Sequence, residues 1–157
     1  AFVVTSSSKS WNLAGLKAGL IVPGAEVADV VRGLSGYVPE SASYLGVVAH
    51  ATALTHGRDW LAEAVAGIHE NKQYFADELH RAIPELSWTP SQGTYLAWVD
   101  CPPLGLTPAG QHFFEQAKVR FGQGTDYDPA ATQFVRVNLA TSQEIISEAV
   151  RRMAASL

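Results

Sequence analysis

A long amphipathic segment between residues 59 and 83 constrains the fold of this chain more than any other feature. Apolar side chains recur at the spacing of one helical face, and Pro84 ends the pattern. They are Leu61, Ala64, Val65, Ile68, Phe75, Leu79 and Ile83. Lys72, Asp77 and Glu78 can face water. The pattern predicts one long helix that links two structural units, residues 1–70 and 71–157.

Short apolar runs alternate with helical patterns before this helix. Residues 2–4 and 18–22 are predicted to be buried strands, because each is apolar and is followed by polar or Pro-Gly residues. Residues 26–34 are expected to be helical. Small and apolar residues cover all sides of residues 41–54, which predicts a helix that is buried on most faces. Tyr44 is assigned a packing role in that helix.

The second unit also combines strands and helices. Residues 93–100 and 134–139 are rich in aromatic and β-branched residues and are predicted to be strands. Residues 107–119 are expected to form a helix and residues 122–129 a loop. Residues 141–144 have the pattern of a capping box, which opens a last helix. The alternation predicts an α/β or α+β fold. Side chains expected to point inward are Tyr95, Trp98, Phe113, Phe114, Ala117, Ile145, Ile146, Ala149, Val150 and Met153.

Composition narrows the classes of function. A formal net charge of -4 with no basic stripe argues against nucleic-acid binding. No apolar run approaches the roughly 20 residues that span a bilayer. The one cysteine, Cys101, cannot form an internal disulfide, which fits a reducing compartment. We therefore expect a cytoplasmic protein whose partners are neither nucleic acids nor membranes.

A serine-rich loop that ends in a lysine is the most informative chemical feature. Ser6, Ser8 and Lys9 follow the first predicted strand, and ligands of α/β proteins bind at the C-terminal ends of strands. A lysine can form a Schiff base with an aldehyde when its amine is unprotonated. The two serine hydroxyls could bind a nearby phosphate. From the loop alone, a solvated lysine beside a flexible serine linker is the more common alternative.

Other candidate sites have weaker support. The five histidines show no paired ligand spacing, so no metal site is predicted. Gly122-Gln-Gly124 is not a dinucleotide loop, because Tyr127 occupies the place of the third glycine. Cys101 precedes two prolines and is expected to be a packed residue rather than a nucleophile. Arg136 either holds a carboxylate by two parallel hydrogen bonds or forms a surface ion pair.

Residues 5–17, Thr-Ser-Ser-Ser-Lys-Ser-Trp-Asn-Leu-Ala-Gly-Leu-Lys, closely resemble the lysine signature of class I/II aminotransferase-fold enzymes. These enzymes depend on pyridoxal 5'-phosphate (PLP), and the resemblance is strongest to their bacterial cystathionine β-lyase-like branch. It implies that Lys9 carries the cofactor as a Schiff base and that Ser6 contacts the cofactor phosphate. An arginine often binds that phosphate in the family; Lys17 stands at its position and keeps the charge without the bidentate fork.

The resemblance continues in register over nearly the whole chain. Residues 39–46 resemble the family's loop and helix after the lysine, and residues 93–100 resemble its small-domain strand. Residues 134–141, Phe-Val-Arg-Val-Asn-Leu-Ala-Thr, resemble the strand whose arginine clamps the substrate α-carboxylate, which implies that role for Arg136. The implied fold is PLP-dependent transferase-like. Its first unit is the C-terminal remnant of the large cofactor-binding domain, and its second is the C-terminal small α+β domain.

Two reactions on amino acids are consistent with this resemblance. Lys9 would remove the Cα proton as a general base while Arg136 holds the carboxylate. Return of that proton to the cofactor carbon gives transamination, and departure of a thiol from Cβ first gives the β-elimination of a cystathionine β-lyase. Lys9 and Arg136 serve both reactions and do not choose between them. The resemblance also implies a homodimer. The alternative is a cofactor-free C-terminal domain that serves as a dimerisation or packing module.

The resemblance further predicts what residues 1–157 lack. In the family, the aspartate that pairs with the pyridine nitrogen precedes the lysine strand, and only eight residues precede Lys9. We therefore expect a chain that is incomplete at its amino end, binds PLP weakly or not at all, and is inactive alone. The section before about residue 70 should be displaced, disordered or paired with another copy, because buried strands need neighbours. The section after it should fold compactly.

Overall fold

The computed structural model describes all residues from 1 to 157. Its contacts divide the chain into two compact units, Ala1–Val65 and Ala66–Leu157. The predicted long helix is present as α4 and crosses this boundary. Helices and strands alternate, as the sequence predicts. The strands are β1 (Phe2–Thr5), β2 (Leu20–Pro23), β3 (Leu96–Asp100), β4 (Gly122–Gln123) and β5 (Phe134–Asn138), and the helices are α1 (Ala28–Arg32), α2 (Tyr37–Glu40), α3 (Tyr44–His56), α4 (Arg58–Ala82), α5 (Ala109–His112) and α6 (Gln143–Ala155).

The first unit begins with a two-stranded antiparallel sheet of β1 and β2. Phe2 pairs with Pro23, and Thr5 pairs with Leu20. The two strands predicted here are confirmed, and they pair with each other. Their predicted burial is wrong, because their side chains are largely exposed; Val4, for example, is 76% exposed. A two-stranded ribbon buries apolar side chains only where another layer covers it.

Helix α3 is also less buried than its composition predicts. Its buried residues are Gly46, His50 and Ala53. Tyr44 is 80% exposed, so its predicted packing role is wrong. A Cβ added at Gly46 would overlap the carbonyl oxygen of Leu16. The absent side chain therefore lets α3 pack directly against the backbone that follows the serine-rich loop.

The second unit is built on a three-stranded antiparallel sheet in the order β3-β5-β4. Trp98 lies opposite Arg136 on one side, and Gly122 lies opposite Arg136 on the other. Alternate side chains of β3 and β5 enter the core, which α4, α5 and α6 complete. The predicted strands at 93–100 and 134–139 are confirmed with shorter bounds. Core residues include Phe75, Leu79, Ala97, Val99, Phe113, Val135, Val137, Leu139, Ile146, Val150 and Met153.

The expectation that Lys72 faces water is wrong. Its side chain is 4% exposed, and Nζ donates hydrogen bonds to the carbonyl oxygens of Ser91 at 2.7 Å and Gly93 at 3.0 Å. The apolar stem of lysine can pack against a core while its ammonium reaches polar groups. Lys72 thus ties α4 to the segment that leads into β3.

Asn71 makes a second connection from α4. Its Nδ2 donates to the carbonyl oxygens of Leu139 at 2.9 Å and Thr141 at 2.7 Å, just after β5. Neighbouring residues of one helix thus hold the backbone next to both long strands of the sheet. This arrangement fixes the strand that carries Arg136.

Three details of the predicted helices are wrong. The helix expected at 107–119 is the short α5 followed by a π-helical turn, Phe113–Ala117, which ends at Lys118 with φ 55°. Phe114 and Ile145 point outward, at 53% and 60% exposed. The capping box expected at 141–144 does not form, because the N-cap side chain of α6 makes no capping hydrogen bond. Helix periodicity identifies which segments pack, but it leaves the edge of the buried face uncertain by one residue.

The segment predicted as a loop at 122–129 contains regular structure. β4 is followed by a 3-10 turn, Gly124–Asp126, with a capping box between Gln123 and Asp126. Tyr127 follows directly as the C-terminal cap of this turn.

Candidate active site

Lys9 lies in the loop that follows β1, and its side chain is exposed. Ser6 and Ser8 are half-buried in the same loop, and Ser6 Oγ accepts a hydrogen bond from the Ser8 backbone N–H at 3.3 Å. Between them Ser7 is only 2% exposed, and its carbonyl oxygen accepts from Trp11 N at 3.0 Å. Lys9, Ser6 and Ser8 therefore lie in one short loop, with the lysine exposed and the two serines half-buried.

Trp11 anchors this loop to the start of the long helix. Its Nε1–H donates to the carbonyl oxygen of Gly57 at 2.9 Å. Two residues of the segment adopt left-handed conformations, Asn12 with φ 55° and Lys17 with φ 54°. Lys17 is exposed, and its carbonyl oxygen accepts from Ser43 N at 3.5 Å. The backbone from Lys9 to Lys17 is thus held at several points, while the two lysine side chains are accessible.

Arg136 belongs to the second unit, at the centre of its sheet. It is half-buried on the face opposite the core, and its Cζ lies 4.6 Å from the centroid of the Tyr127 ring. The chain has four ion pairs within 4.0 Å, and none involves Arg136. Arg136 therefore lacks the surface ion pair that was the alternative from the sequence. A guanidinium without an acidic neighbour is suited to binding an external carboxylate.

The aromatic neighbours of Arg136 were not among the predicted site residues. Trp98 was predicted to lie in the core, but it is 39% exposed on the same face as Arg136. Phe134 also shares that face, since it precedes Arg136 by two residues on the strand. Strand alternation could have placed Trp98 and Phe134 there. Tyr127 reaches the site from a loop, and no sequence period predicts that.

The remaining candidates do not form sites. Cys101 is completely buried, as predicted, and burial together with the charge of Asp100 raises its pKa to about 12. No group of three or more histidine, cysteine or acidic residues is placed to hold a metal ion. His50 is buried with both ring nitrogens unpaired. None of the helices has the length and apolar character required to cross a membrane.

Comparison with known proteins defines the family. The model of the aminotransferase class I and II family matches residues 1–153. The chain therefore belongs to this family, and its fold is that of PLP-dependent aminotransferases and C–S lyases, as the resemblance predicts.

Individual relatives agree with this assignment. The cystathionine β-lyase of Corynebacterium glutamicum is 32% identical, over 98% of this chain and 42% of its own length. A Corynebacterium diphtheriae structure, provisionally assigned as a PLP-dependent β-cystathionase, is 35% identical with a TM-score of 0.93, over 99% of this chain and 42% of that one. The PLP-bound C–S lyase of Staphylococcus hominis with L-cycloserine is 25% identical with a TM-score of 0.85, over 99% and 41%. The chain thus spans about two fifths of the length of its relatives.

Proposed function

We propose that the protein containing this chain is a PLP-dependent enzyme that acts on amino acids, by transamination or by β-elimination at a C–S bond. The observation that carries the proposal is the loop after β1, where the exposed amine of Lys9 follows two half-buried hydroxyls. Membership of the aminotransferase class I and II family supports it. So does the likeness to a cystathionine β-lyase.

The residues of this loop fit the aldehyde and the phosphate of PLP. Because Ser6 Oγ accepts from Ser8 N, its own O–H is free to donate to a phosphate oxygen. The positive charge of Lys17 favours an anion near its side chain. When bound, PLP supplies an acceptor for the electron pair that a broken Cα bond leaves behind.

Two residues of this chain are proposed to act on the substrate. Lys9 Nζ takes the proton from Cα, which requires its unprotonated form. Arg136 binds the α-carboxylate with two parallel N–H donors, which fixes the orientation of Cα. Its freedom from acidic neighbours supports this role, because an internal ion pair would compete for the same donors.

The two units correspond, in this proposal, to parts of two domains. Residues 1–70 belong to the large cofactor-binding domain and residues 71–157 are the small domain. We propose that the whole enzyme is a cytoplasmic homodimer, and that residues 1–157 alone do not catalyse the reaction. The free, buried state of Cys101 is compatible with a reducing compartment.

Turnover by the full-length protein loaded with PLP tests this function. Lys9→Ala should abolish turnover without unfolding the protein. Arg136→Ala should raise KM for amino acids, because it removes about 2–5 kcal/mol of binding free energy for a pair shielded from water. Arg136→Lys should restore only part of this binding free energy. Release of thiol, ammonia and a 2-oxo acid would identify β-elimination, whereas transfer of the amino group to an added 2-oxo acid would identify transamination. Normal turnover of Lys9→Ala would contradict the proposal.

The second candidate is a cofactor-free packing or dimerisation module. The exposed apolar side chains of β1 and β2 favour it, because such surfaces mark interaction sites. Incubation with PLP distinguishes the two functions. Visible absorbance that disappears in Lys9→Ala supports the enzyme. A protein that stays colourless but sediments as a dimer supports the module.

A further inference from the structure

Arg136 shares the outer face of the second unit's sheet with three aromatic rings. The Arg136 Cζ lies 4.6 Å from the Tyr127 centroid. Tyr127 meets Trp98 edge-on, with centroids 5.6 Å apart and planes at 79°. Trp98 stacks on Phe134, with centroids 5.4 Å apart and planes at 17°. We call Tyr127, Trp98 and Phe134 the aromatic row. Each ring in it contacts the next, so Tyr127 is in contact with Trp98 as well as with Arg136.

A tyrosine ring and an acidic side chain hold a guanidinium in different ways. The ring attracts the cation through its negative face and uses none of its N–H donors. A carboxylate neighbour would neutralise the charge and occupy the donors. Since Arg136 has the ring and no acidic group within 4.0 Å, its donor edges stay available for two parallel hydrogen bonds to a ligand carboxylate.

Backbone hydrogen bonds within the loop that carries Tyr127 hold its conformation. The backbone N–H groups of Tyr127 and Asp128 both donate to the Gly124 carbonyl oxygen, at 3.0 and 3.1 Å. Ala131 N then donates to the Asp128 carbonyl oxygen at 2.9 Å. A ring on such a loop loses little further freedom when a ligand binds, which favours affinity.

Gly122 makes the contact between Tyr127 and Arg136 possible. It lies opposite Arg136 on β4. A Cβ at Gly122 would come within 3.0 Å of Tyr127 Oη and 3.4 Å of Arg136 Nε. A larger residue would therefore require the Tyr127 hydroxyl or the Arg136 side chain to shift by a few tenths of an ångström.

We propose that Tyr127 is a positioning residue, whose ring holds the Arg136 guanidinium in the orientation that receives the α-carboxylate of an amino acid. The inference rests on the proposed function, which makes Arg136 the carboxylate clamp. It adds a residue that acts through Arg136 and does not itself bind the substrate carboxylate.

The test uses the PLP-loaded full-length protein and three variants. Tyr127→Leu removes the ring, and Tyr127→Phe keeps the ring without its hydroxyl. Phe114→Leu is the matched control, because Phe114 forms the other arginine–ring pair of the unit, 6.0 Å from Arg120 Cζ. Each variant is measured with an amino acid and with the corresponding amine that lacks the carboxylate, used as a competitive inhibitor. The Arg136 Nε–Hε resonance provides a readout that does not depend on activity.

Tyr127→Leu should raise KM for the amino acid about 3–10-fold while kcat stays within about 2-fold, as expected for the loss of a cation–ring contact that orients a binding group. The inhibition constant of the amine should not change. Tyr127→Phe and Phe114→Leu should behave as the parent protein. The ring-current shift of Arg136 Hε should disappear only in Tyr127→Leu.

Two results would overturn the inference, and they differ from failure of the proposed function. One is an unchanged KM in Tyr127→Leu when Arg136→Ala raises KM. The other is equal weakening of the amino acid and the amine, which would indicate general damage to the site. An unchanged KM in Arg136→Ala would instead remove the carboxylate clamp itself, and this inference with it.

Discussion

Replacing Lys72 with methionine should destabilise the second unit, because Lys72 is a buried lysine with two backbone acceptors. Methionine keeps most of the apolar stem in place and removes the ammonium. The change therefore deletes the Nζ hydrogen bonds to Ser91 at 2.7 Å and Gly93 at 3.0 Å without opening a large cavity.

The magnitude follows from two opposing effects. Hydrogen bonds from a charged donor contribute about 1.5–3 kcal/mol each. Part of the lost stability is offset, because the ammonium of Lys72 no longer has to be transferred out of water on folding. After the substitution Gly93 O still accepts from Ser91 Oγ at 2.8 Å, and Ser91 is exposed enough for water to reach its carbonyl oxygen. We expect a net loss of about 1–3 kcal/mol in the free energy of unfolding.

Denaturant unfolding of Lys72→Met measures this loss, with Lys118→Met as control. Lys118 Nζ also donates to a backbone carbonyl oxygen, that of Glu115 at 2.7 Å, but its side chain is exposed. The control should therefore lose less than about 0.5 kcal/mol. Equal losses in the two variants, within 0.5 kcal/mol by that same criterion, would refute the structural role of Lys72.

Two further predictions concern local packing and charge. Gly46→Ala should lower the free energy of unfolding by about 1–3 kcal/mol, since the new methyl group overlaps Leu16 O. Gly67→Ala, in α4 with open space around it, should instead stabilise the protein by about 0.5–1 kcal/mol. Urea titrations measure both free energies of unfolding, and a neutral Gly46→Ala would contradict the close approach. Hydrogen bonds from two arginines of α6 lower the pKa of Glu148 from 4.5 to about 2. Its stabilising effect is therefore present above pH 4.5 and is lost as the pH falls towards 2. The stability difference between the parent and Glu148→Gln should shrink over that interval, and a difference independent of pH would contradict the ion pairs.

The sequence predicted the elements better than their burial. The period of α4 and the β-branched runs of β3 and β5 are local signals, and the elements formed where those signals lie. Burial depends on what packs against an element, which no local pattern specifies. That is why β1, β2 and α3 are exposed despite their apolar composition.

Lys72 is the converse case, a charged residue that is buried. A lysine on a helix is usually exposed, although its spacing from Ile68, Phe75 and Leu79 places Lys72 on the apolar face of α4. Its acceptors, Ser91 and Gly93, lie on a separate segment that meets α4 only in the folded unit. A contact between residues so far apart in sequence cannot be read from helix periodicity.

In the candidate site too, local motifs predict individual residues but not the contacts between distant segments. Short motifs predict four residues of the candidate site, because each motif lies within a few residues of sequence: Lys9, Ser6, Ser8 and Arg136. The contact between Tyr127 and Arg136 was not found, because it joins a loop to a strand. Motifs therefore supply the proposed reacting groups, and the structure adds the contact on which the proposed role of Tyr127 rests.

Identification of the lysine that carries PLP is the decisive test of the proposed function. The full-length protein is incubated with PLP, reduced with borohydride and digested, and the modified peptide is identified by mass spectrometry. We predict a pyridoxyl group on Lys9 in the parent protein and no modified peptide from Lys9→Ala. A label on Lys17 or on any other lysine, or a label that survives in Lys9→Ala, would contradict the assignment of Lys9 as the residue that carries PLP.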